Sequence, residues 1–219
     1  LFRSSMAAWM TKVSVAVDQG DMPKAMELVS TASALCRAHD HICNVFRVQR
    51  LSLETLSAAA PPAIAFEPPL TDMMARVRTA DGSDRAEWAF MAAATLHLAQ
   101  RAGHTGIAPR WMPALIRDSR ELKDPRVNQM IEIVGATQDH LEGRDAQATQ
   151  RLAALVDGHE LMQVHSMLKR IHRGAGQTGM AERERTWLAA RRGLSLTENA
   201  GTYALTVLNV SDARQARRR

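Results

Sequence analysis

The chain has 219 residues with a formal net charge of +5, and 46% of its residues are hydrophobic but only 4% are aromatic. This length and apolar content suit one large core or a short helical array, and the scattered β-branched residues argue against a sheet. Two cysteines, and no apolar run near the roughly 18–20 residues that span a bilayer, exclude a disulfide-stapled scaffold and a membrane-spanning protein, so a cytoplasmic location is expected.

The N-terminal quarter predicts a helix hairpin followed by a third helix. Apolar residues recur at helical spacing from residue 2 to 18 and from 22 to 38, and a third amphipathic stretch covers residues 42–56. Between the first two stretches, Gly20 suits a left-handed residue that closes a helix, and Asp21 can cap the next one. This hairpin is the unit from which we expect the chain to be built.

Residues 59–70 predict an irregular loop within the helical region. Two proline pairs, at 61–62 and 68–69, favour extended backbone. Ile64 and Phe66 lie between the pairs, and we expect both side chains to hold the loop against the protein surface.

The remainder of the chain predicts seven helices separated by turns. Gly103, Gly143 and Gly176 interrupt the apolar periodicity where one helix should end and the next begin. Asp124 followed by Pro125 is typical of an N-cap and a first helical residue. The predicted helices cover residues 72–79, 84–101, 109–122, 125–142, 145–156, 159–172 and 180–192. The third of these contains Pro113, so it either starts at Pro113 or is kinked there.

The helical region is predicted to form one domain over residues 1–195, followed by a C-terminal segment over 196–219. Residues 202–210 have mixed helix and strand character, so their type is left open. The last six residues form a basic tail that could contact nucleic acid or anionic lipid. A frayed chain end is the simpler interpretation, so nucleic acid is not the expected partner.

A glycine at a helix–helix turn is followed five residues later by an alanine at four places in the chain. The last three of these glycines lie 40 and 33 residues apart, close to the ~34–47-residue periods of helical-pair repeats. The four pairs are Gly20/Ala25, Gly103/Ala108, Gly143/Ala148 and Gly176/Ala181.

The stretch from Trp9 to Leu35 resembles one tetratricopeptide (TPR) repeat. It has an aromatic residue early in the first helix, a Gly-Asp-apolar turn, and Ala25, Val29 and Ala32 down the second helix. Residues 143–155 are similar to the second half of such a repeat, whereas residues 58–125 fit none. The resemblance implies an all-α, TPR-like α-solenoid of antiparallel helix hairpins, and interaction rather than catalysis.

The resemblance also implies a partner-binding face on the first helix of each hairpin. Arg170 and Arg173, three residues apart on one such helix, could receive an acidic peptide or a carboxylate. A solvated arginine face is the alternative. The residues expected on the binding face in the two later units are Met130, Ile133, Thr137, His140, Gln163, Ser166, Arg170 and Arg173.

Residues 36–43 contain the most reactive side chains of the sequence, two cysteines and two histidines around Asp40. Their spacing matches no common zinc finger. His39, Asp40 and His41 could instead serve an all-helical, metal-dependent phosphohydrolase of the His-Asp type, but that family needs a further upstream histidine, which residues 1–38 lack. We expect Asp40 to cap the third helix and the thiols to pack as small hydrophobes, so no metal or cofactor is predicted.

Two further patterns predict no site. His165 and His172 share one helix face but lie seven residues apart, which is too far for one metal ion without a third group. Residues 174–179 are rich in glycine but lack the preceding strand and the Gly-Lys-Ser/Thr ending of a phosphate loop. No catalytic residues are predicted.

The sequence therefore predicts a protein–protein interaction or scaffold module rather than an enzyme, with another protein or an acidic peptide as its partner. Residue 1 is leucine, which suggests the C-terminal part of a larger protein. Many arginines and alanines with few lysines suggest a bacterial, GC-rich source, and helical repeats often serve there as regulatory or signalling regions. The metal-dependent hydrolase is the alternative function.

Overall fold

The computed structural model describes residues 8–9, 12–13, 15–16, 21–35, 41–56, 60–156 and 162–190. Within these ranges the regular structure is helical, with one 3₁₀ turn at Ala63–Ala65 and no strand, so the all-α prediction is confirmed. None of the described helices combines the length and apolar character that a membrane crossing requires. The helices are α1 (Met22–Ala34), α2 (His41–Leu56), α3 (Glu67–Thr79), α4 (Gly82–Arg101), α5 (Ile107–Ser119), α6 (Pro125–Leu141), α7 (Asp145–Val156), α8 (Met162–Gly174) and α9 (Thr178–Ala189).

The described residues belong to two compact units, one up to Pro69 and one from Leu70 onward. In the first unit α1 packs against α2. Asp21 caps α1 as predicted, because its carboxylate accepts the backbone N–H of Lys24 at 3.0 Å. One buried hydrophobic cluster of this unit contains Val13, Ala16, Ala25, Val29 and Leu53.

The proline-rich segment is more helical than the sequence predicts. Helix α3 begins at Glu67, so the second proline pair lies in its first turn, where the missing N–H groups would have no intrahelical partner. Phe66 is buried as expected, whereas Ile64 is 72% exposed and does not hold the segment against the protein. The predicted loop therefore ends before residue 67 instead of at residue 70.

Helix α4 is the most deeply buried element of the second unit. All ten residues from Met91 to Gln100 are buried, and these cover more than two turns, so every face of the helix is enclosed. Helices α5 and α6 pack against it, and Thr95 Oγ1 lies 3.7 Å from the sulfur of Met73 in α3. Four alanines in this stretch leave room for neighbouring helices to approach closely.

The helices from α4 to α9 pack in an alternating order. Helix α4 packs on α6 and α6 packs on α8, while α5, α7 and α9 each pack on the helix that precedes them in the chain. Each of these three pairs is joined by a turn that contains a glycine with positive φ: Gly103 at 90°, Gly143 at 78° and Gly176 at 70°. Glycine adopts this left-handed conformation without the steric cost of a Cβ.

The three turns share one hydrogen-bonding pattern. In each, the N–H of the residue after the glycine donates to the carbonyl five residues earlier, which closes the preceding helix as a Schellman motif. The donor and acceptor pairs are His104 to Ala99 (2.9 Å), Arg144 to Asp139 (2.8 Å) and Gln177 to His172 (2.8 Å), and Asp21 donates to Ala16 with the same separation (2.8 Å). Gly103, Gly143 and Gly176 therefore mark three similar helix ends, whereas Gly20 lies outside the described residues.

Helices α7 and α9 differ at the position nine residues after the turn glycine. In α7 this position is Leu152, which is fully buried. In α9 it is Arg185, which is exposed and pairs with Glu182 at 2.7 Å. At this position α9 therefore has an exposed polar residue, whereas α7 has a buried apolar one.

Most predicted helix boundaries agree with the structure to within a few residues. Helix α7 has the predicted bounds, and Asp124 caps α6 by accepting the N–H of Arg126 at 2.9 Å. Helix α5 begins at Ile107, two residues earlier than predicted, and continues through Pro113. The segments 196–219 and 202–210 lie outside the described residues.

Candidate functional site

Equivalent positions on α4, α6 and α8 are found by counting back from the three turn glycines. Six residues before each glycine lie His97, Thr137 and Arg170, which we call the inner row. Three residues before each lie Gln100, His140 and Arg173, which we call the turn row. Four of the eight predicted partner-binding residues belong to these two rows.

The first two members of the inner row are joined by a hydrogen bond. The Thr137 hydroxyl donates to the carbonyl of Ile133 at 2.8 Å, and its oxygen lies 3.2 Å from His97 Nδ1. Because the hydroxyl hydrogen is already used, Nδ1 must carry the proton and donate to Thr137. His97 is therefore the Nδ1–H tautomer, with a lone pair on Nε2.

His97 is uncharged at neutral pH. Burial, together with the positive charges of Arg101 and Arg170, lowers the pKa of this imidazole from 6.5 to about 3. Arg101 belongs to α4 and Arg170 to α8, so guanidinium groups from two helices act on one ring. The hydrogen bond between His97 and Thr137 links α4 to α6.

The first two members of the turn row, Gln100 and His140, form side-chain hydrogen bonds. The Gln100 amide donates to the carbonyl of Val134 at 3.1 Å and to the side chain of Gln138 at 3.0 Å. His140 Nδ1 lies 2.6 Å from a carboxylate oxygen of Asp145 across the Gly143 turn. These contacts fix the register of α4, α6 and α7.

Burial corrects part of the predicted binding face. Met130, Ile133 and Thr137 are almost completely buried, because packing against neighbouring helices encloses this side of α6, so they offer no surface to a partner. His140 and Ser166 are half-buried, and the side chain of Gln163 lies outside the described side chains. Arg170 and Arg173 are exposed, so the accessible part of the predicted face is on α8.

Three cations of α8 form what we call the basic patch: Lys169, Arg170 and Arg173. None of them forms an ion pair with any residue in the described ranges. Other arginines of the same unit are neutralised: Arg144 and Arg151 both bind the buried carboxylate of Asp139, at 2.6 and 2.9 Å. The basic patch is therefore a local excess of positive charge beside the inner row.

His165 has a structural role between α8 and α9. Its Nδ1 lies 2.6 Å from a carboxylate oxygen of Glu184, and its ring stacks on Trp187 with 3.4 Å between centroids. His172 Nδ1 likewise lies 2.7 Å from the side-chain oxygen of Gln177, across the Gly176 turn. Residues 174–179 comprise the end of α8, the turn at residues 175–177 and the start of α9.

Sequence reasoning missed His97 and Arg101. The signal was present: subtracting the 40-residue glycine spacing from Thr137 gives residue 97. What the sequence could not reveal is that this position is buried while its counterpart on α8 is exposed.

The alternative metal-dependent chemistry has no counterpart among the described residues. No group of three or more histidine, cysteine, aspartate or glutamate side chains there could hold a metal ion. Residues 36–40 and the side chains of His41 and Cys43 lie outside the described part, as does the basic tail.

A scan against protein-family models, a search of curated proteins and a search of solved structures each find no match to this chain.

Proposed function

We propose that this chain is a protein-binding scaffold built from TPR-like helix hairpins, and that it holds an acidic segment of another protein on α8. Two observations support the repeat: the three turns share one hydrogen-bonding pattern, and every second helix packs together, α4 on α6 and α6 on α8. Stacked hairpins of this kind commonly serve to present an extended binding surface.

The observation that carries the proposal is the basic patch. Lys169, Arg170 and Arg173 are close together on one helix and lack ion-pair partners in the described part of the chain, although acidic residues neutralise neighbouring arginines. Uncompensated cations on one face raise the local concentration of anionic partners and speed their association. Guanidinium groups also bind carboxylates through two parallel hydrogen bonds.

The test is binding of labelled twelve-residue peptides to the full chain, measured by fluorescence anisotropy. Glutamate-rich peptides should bind, and glutamine-rich peptides of the same length should not. Reversing two charges together, Arg170→Glu and Arg173→Glu, should weaken binding by at least about tenfold, which corresponds to about 1.4 kcal/mol. Raising the salt concentration should also weaken binding, because the charges are exposed.

The matched control is Arg183→Glu, which reverses an exposed arginine on α9, outside the basic patch. It should leave the affinity unchanged within about twofold. Equal binding of acidic and neutral peptides, equal losses in both variants, or binding of a single-stranded oligonucleotide without binding of the acidic peptide would each overturn the proposal.

A further inference from the structure

Helix α5 has a second row of apolar side chains on a side that packing within its unit does not cover. The helix packs on α4 and α6, and its residues Ala108 and Leu115 are buried. On a different side, four apolar residues follow one another at i, i+3, i+4 and i+7, which is the spacing of one helix face. These residues, which we call the outer stripe, are Pro109, Met112, Pro113 and Ile116.

The outer stripe is accessible and needs little ordering before a partner covers it. Pro109 and Pro113 are exposed, and Met112 is half-buried. Ile116 is 48% exposed. A proline side chain has no rotamer freedom to lose on burial, so covering two of them costs little conformational entropy.

Arginines border the outer stripe. Arg110 and Arg117, seven residues apart, lie along one side of it, and Arg120 lies one turn beyond Ile116. Arg120 keeps helical φ and ψ of −54° and −34° at the C-cap, and it forms no ion pair with any residue that the structure describes. Arg117 binds Asp118 at 2.8 Å, but an arginine of α3 binds the same carboxylate at 2.7 Å. One acid thus serves two cations, and the border of the stripe is positively charged.

The shape and charge of this surface indicate the kind of partner. The outer stripe spans about 10 Å along α5, which two turns of a helix packed lengthwise would cover. An extended peptide would gain no strand pairing from a helix surface. A membrane-binding helix buries several large apolar side chains, whereas Ile116 is the one large, exposed member of this stripe. Two copies joined through the stripe would bring both arginine borders into one interface, where they repel.

We propose that α5 is a second docking surface, and that its occupant is an α-helix of another protein whose apolar stripe is bordered by glutamate or aspartate. This surface is on a different helix from the basic patch and does not depend on it. Apolar contact with the outer stripe would supply most of the affinity, and the arginine border would set the orientation of the acidic helix.

The test is binding of labelled eighteen-residue peptides to the full chain carrying Arg170→Glu and Arg173→Glu, because these changes remove the charge of the basic patch. The first peptide has a leucine stripe bordered by glutamate, and the second has the same stripe bordered by lysine. The third has the composition of the first in an order that forms no stripe. In fluorescence anisotropy, the first peptide should bind at least about tenfold more tightly than the other two.

Substitutions in this background test the assignment to α5. Ile116→Glu should weaken binding of the first peptide by at least about tenfold, because a charge would enter the apolar contact. Met180→Glu is the matched control, since it places the same charge at an apolar residue of α9 that is 41% exposed, and it should change the affinity by less than about twofold. Arg120→Glu should weaken binding of the first peptide and strengthen binding of the second. If Ile116→Glu does not fold, Ile116→Ala provides the comparison.

Several outcomes would overturn the proposal. Equal losses from Ile116→Glu and Met180→Glu, or no difference among the three peptides, would exclude this use of the outer stripe. Binding to vesicles of phosphatidylcholine and phosphatidylglycerol that Ile116→Glu abolishes would assign the stripe to a membrane. A dimer in sedimentation that Ile116→Glu dissociates would assign it to a second copy of the chain. The proposed function is tested separately, because its glutamate-rich peptides have no apolar stripe.

Discussion

At the scale of single residues, His97 is an ionisable side chain that folding removes completely from water. It is fully buried, donates through Nδ1 to Thr137, and faces the positive charges of Arg101 and Arg170. A charged imidazole here would lose its hydration and would be repelled by these two positive charges. The folded chain therefore keeps this ring neutral at the expense of stability in acid.

The pH dependence of folding follows from that environment. Above pH 6.5 the ring is neutral in both states; between pH 6.5 and about 3 only the unfolded chain binds the proton, so acid favours unfolding. In this range, the contribution of His97 should lower the free energy of unfolding by about 1.4 kcal/mol for each unit by which the pH decreases. In urea unfolding, the free energy of unfolding should therefore decrease between pH 7 and pH 5 by roughly 2 kcal/mol more in the original chain than in the His97→Gln variant.

Ala34→Gln serves as the control for this measurement, because it adds the same side chain at an exposed position of α1 and removes no titratable group. The pH dependence of this variant should follow that of the original chain. Parallel pH profiles for the original chain and His97→Gln would show that the buried ring is protonated in the folded state.

At the scale of elements, two glycines close together in the chain should respond in opposite ways to the same substitution. Gly143 has φ of +78°, so Gly143→Ala should destabilise the chain by about 1–2 kcal/mol. Gly135 is inside α6, where a new Cβ would lie at an ordinary 3.5 Å from Arg151 Nη1. Gly135→Ala should stabilise the chain by about 0.5–1 kcal/mol, because alanine loses less backbone entropy in a helix.

Urea unfolding of the two variants measures both effects. Shifts of the midpoint in the same direction would contradict the account of one of the two positions, and a neutral Gly143→Ala would mean that the turn adopts another conformation in solution.

The hairpin of the first unit should be sensitive to the size of residue 25. Ala25 is fully buried with Val13, Ala16 and Val29 around it. Ala25→Leu should overpack this contact and cost about 1–3 kcal/mol in thermal or urea unfolding. The same change at Ala34, which is exposed at the end of α1, should stay within about 0.5 kcal/mol. Equal effects at both positions would exclude close packing at Ala25.

At the scale of the whole molecule, local signals in the sequence predicted the helices better than the site. Asp124 before Pro125 identified the start of α6, because a cap and a proline act within one turn of the chain. The predicted start of α3 was wrong, because prolines at positions 68–69 are compatible both with extended backbone and with a first helical turn.

The site depended on distant contacts that no local pattern contains. Thr137 and Arg170 each lie six residues before a turn glycine, yet Thr137 is buried and Arg170 is exposed. The difference follows from helix packing, because α4 packs on α6 and its His97 contacts Thr137. The presence of Arg101 near His97 likewise required the packed chain.

The polar position in α9 has a consequence for how such a chain could lengthen during evolution. A gene duplication that copied residues 143–175 would place a second leucine at the position equivalent to the buried Leu152. A hairpin added against the outward side of α9 would instead have to bury Arg185 together with Glu182. Removing such a pair from water is unfavourable, so internal duplication is the easier route to a longer member of this fold.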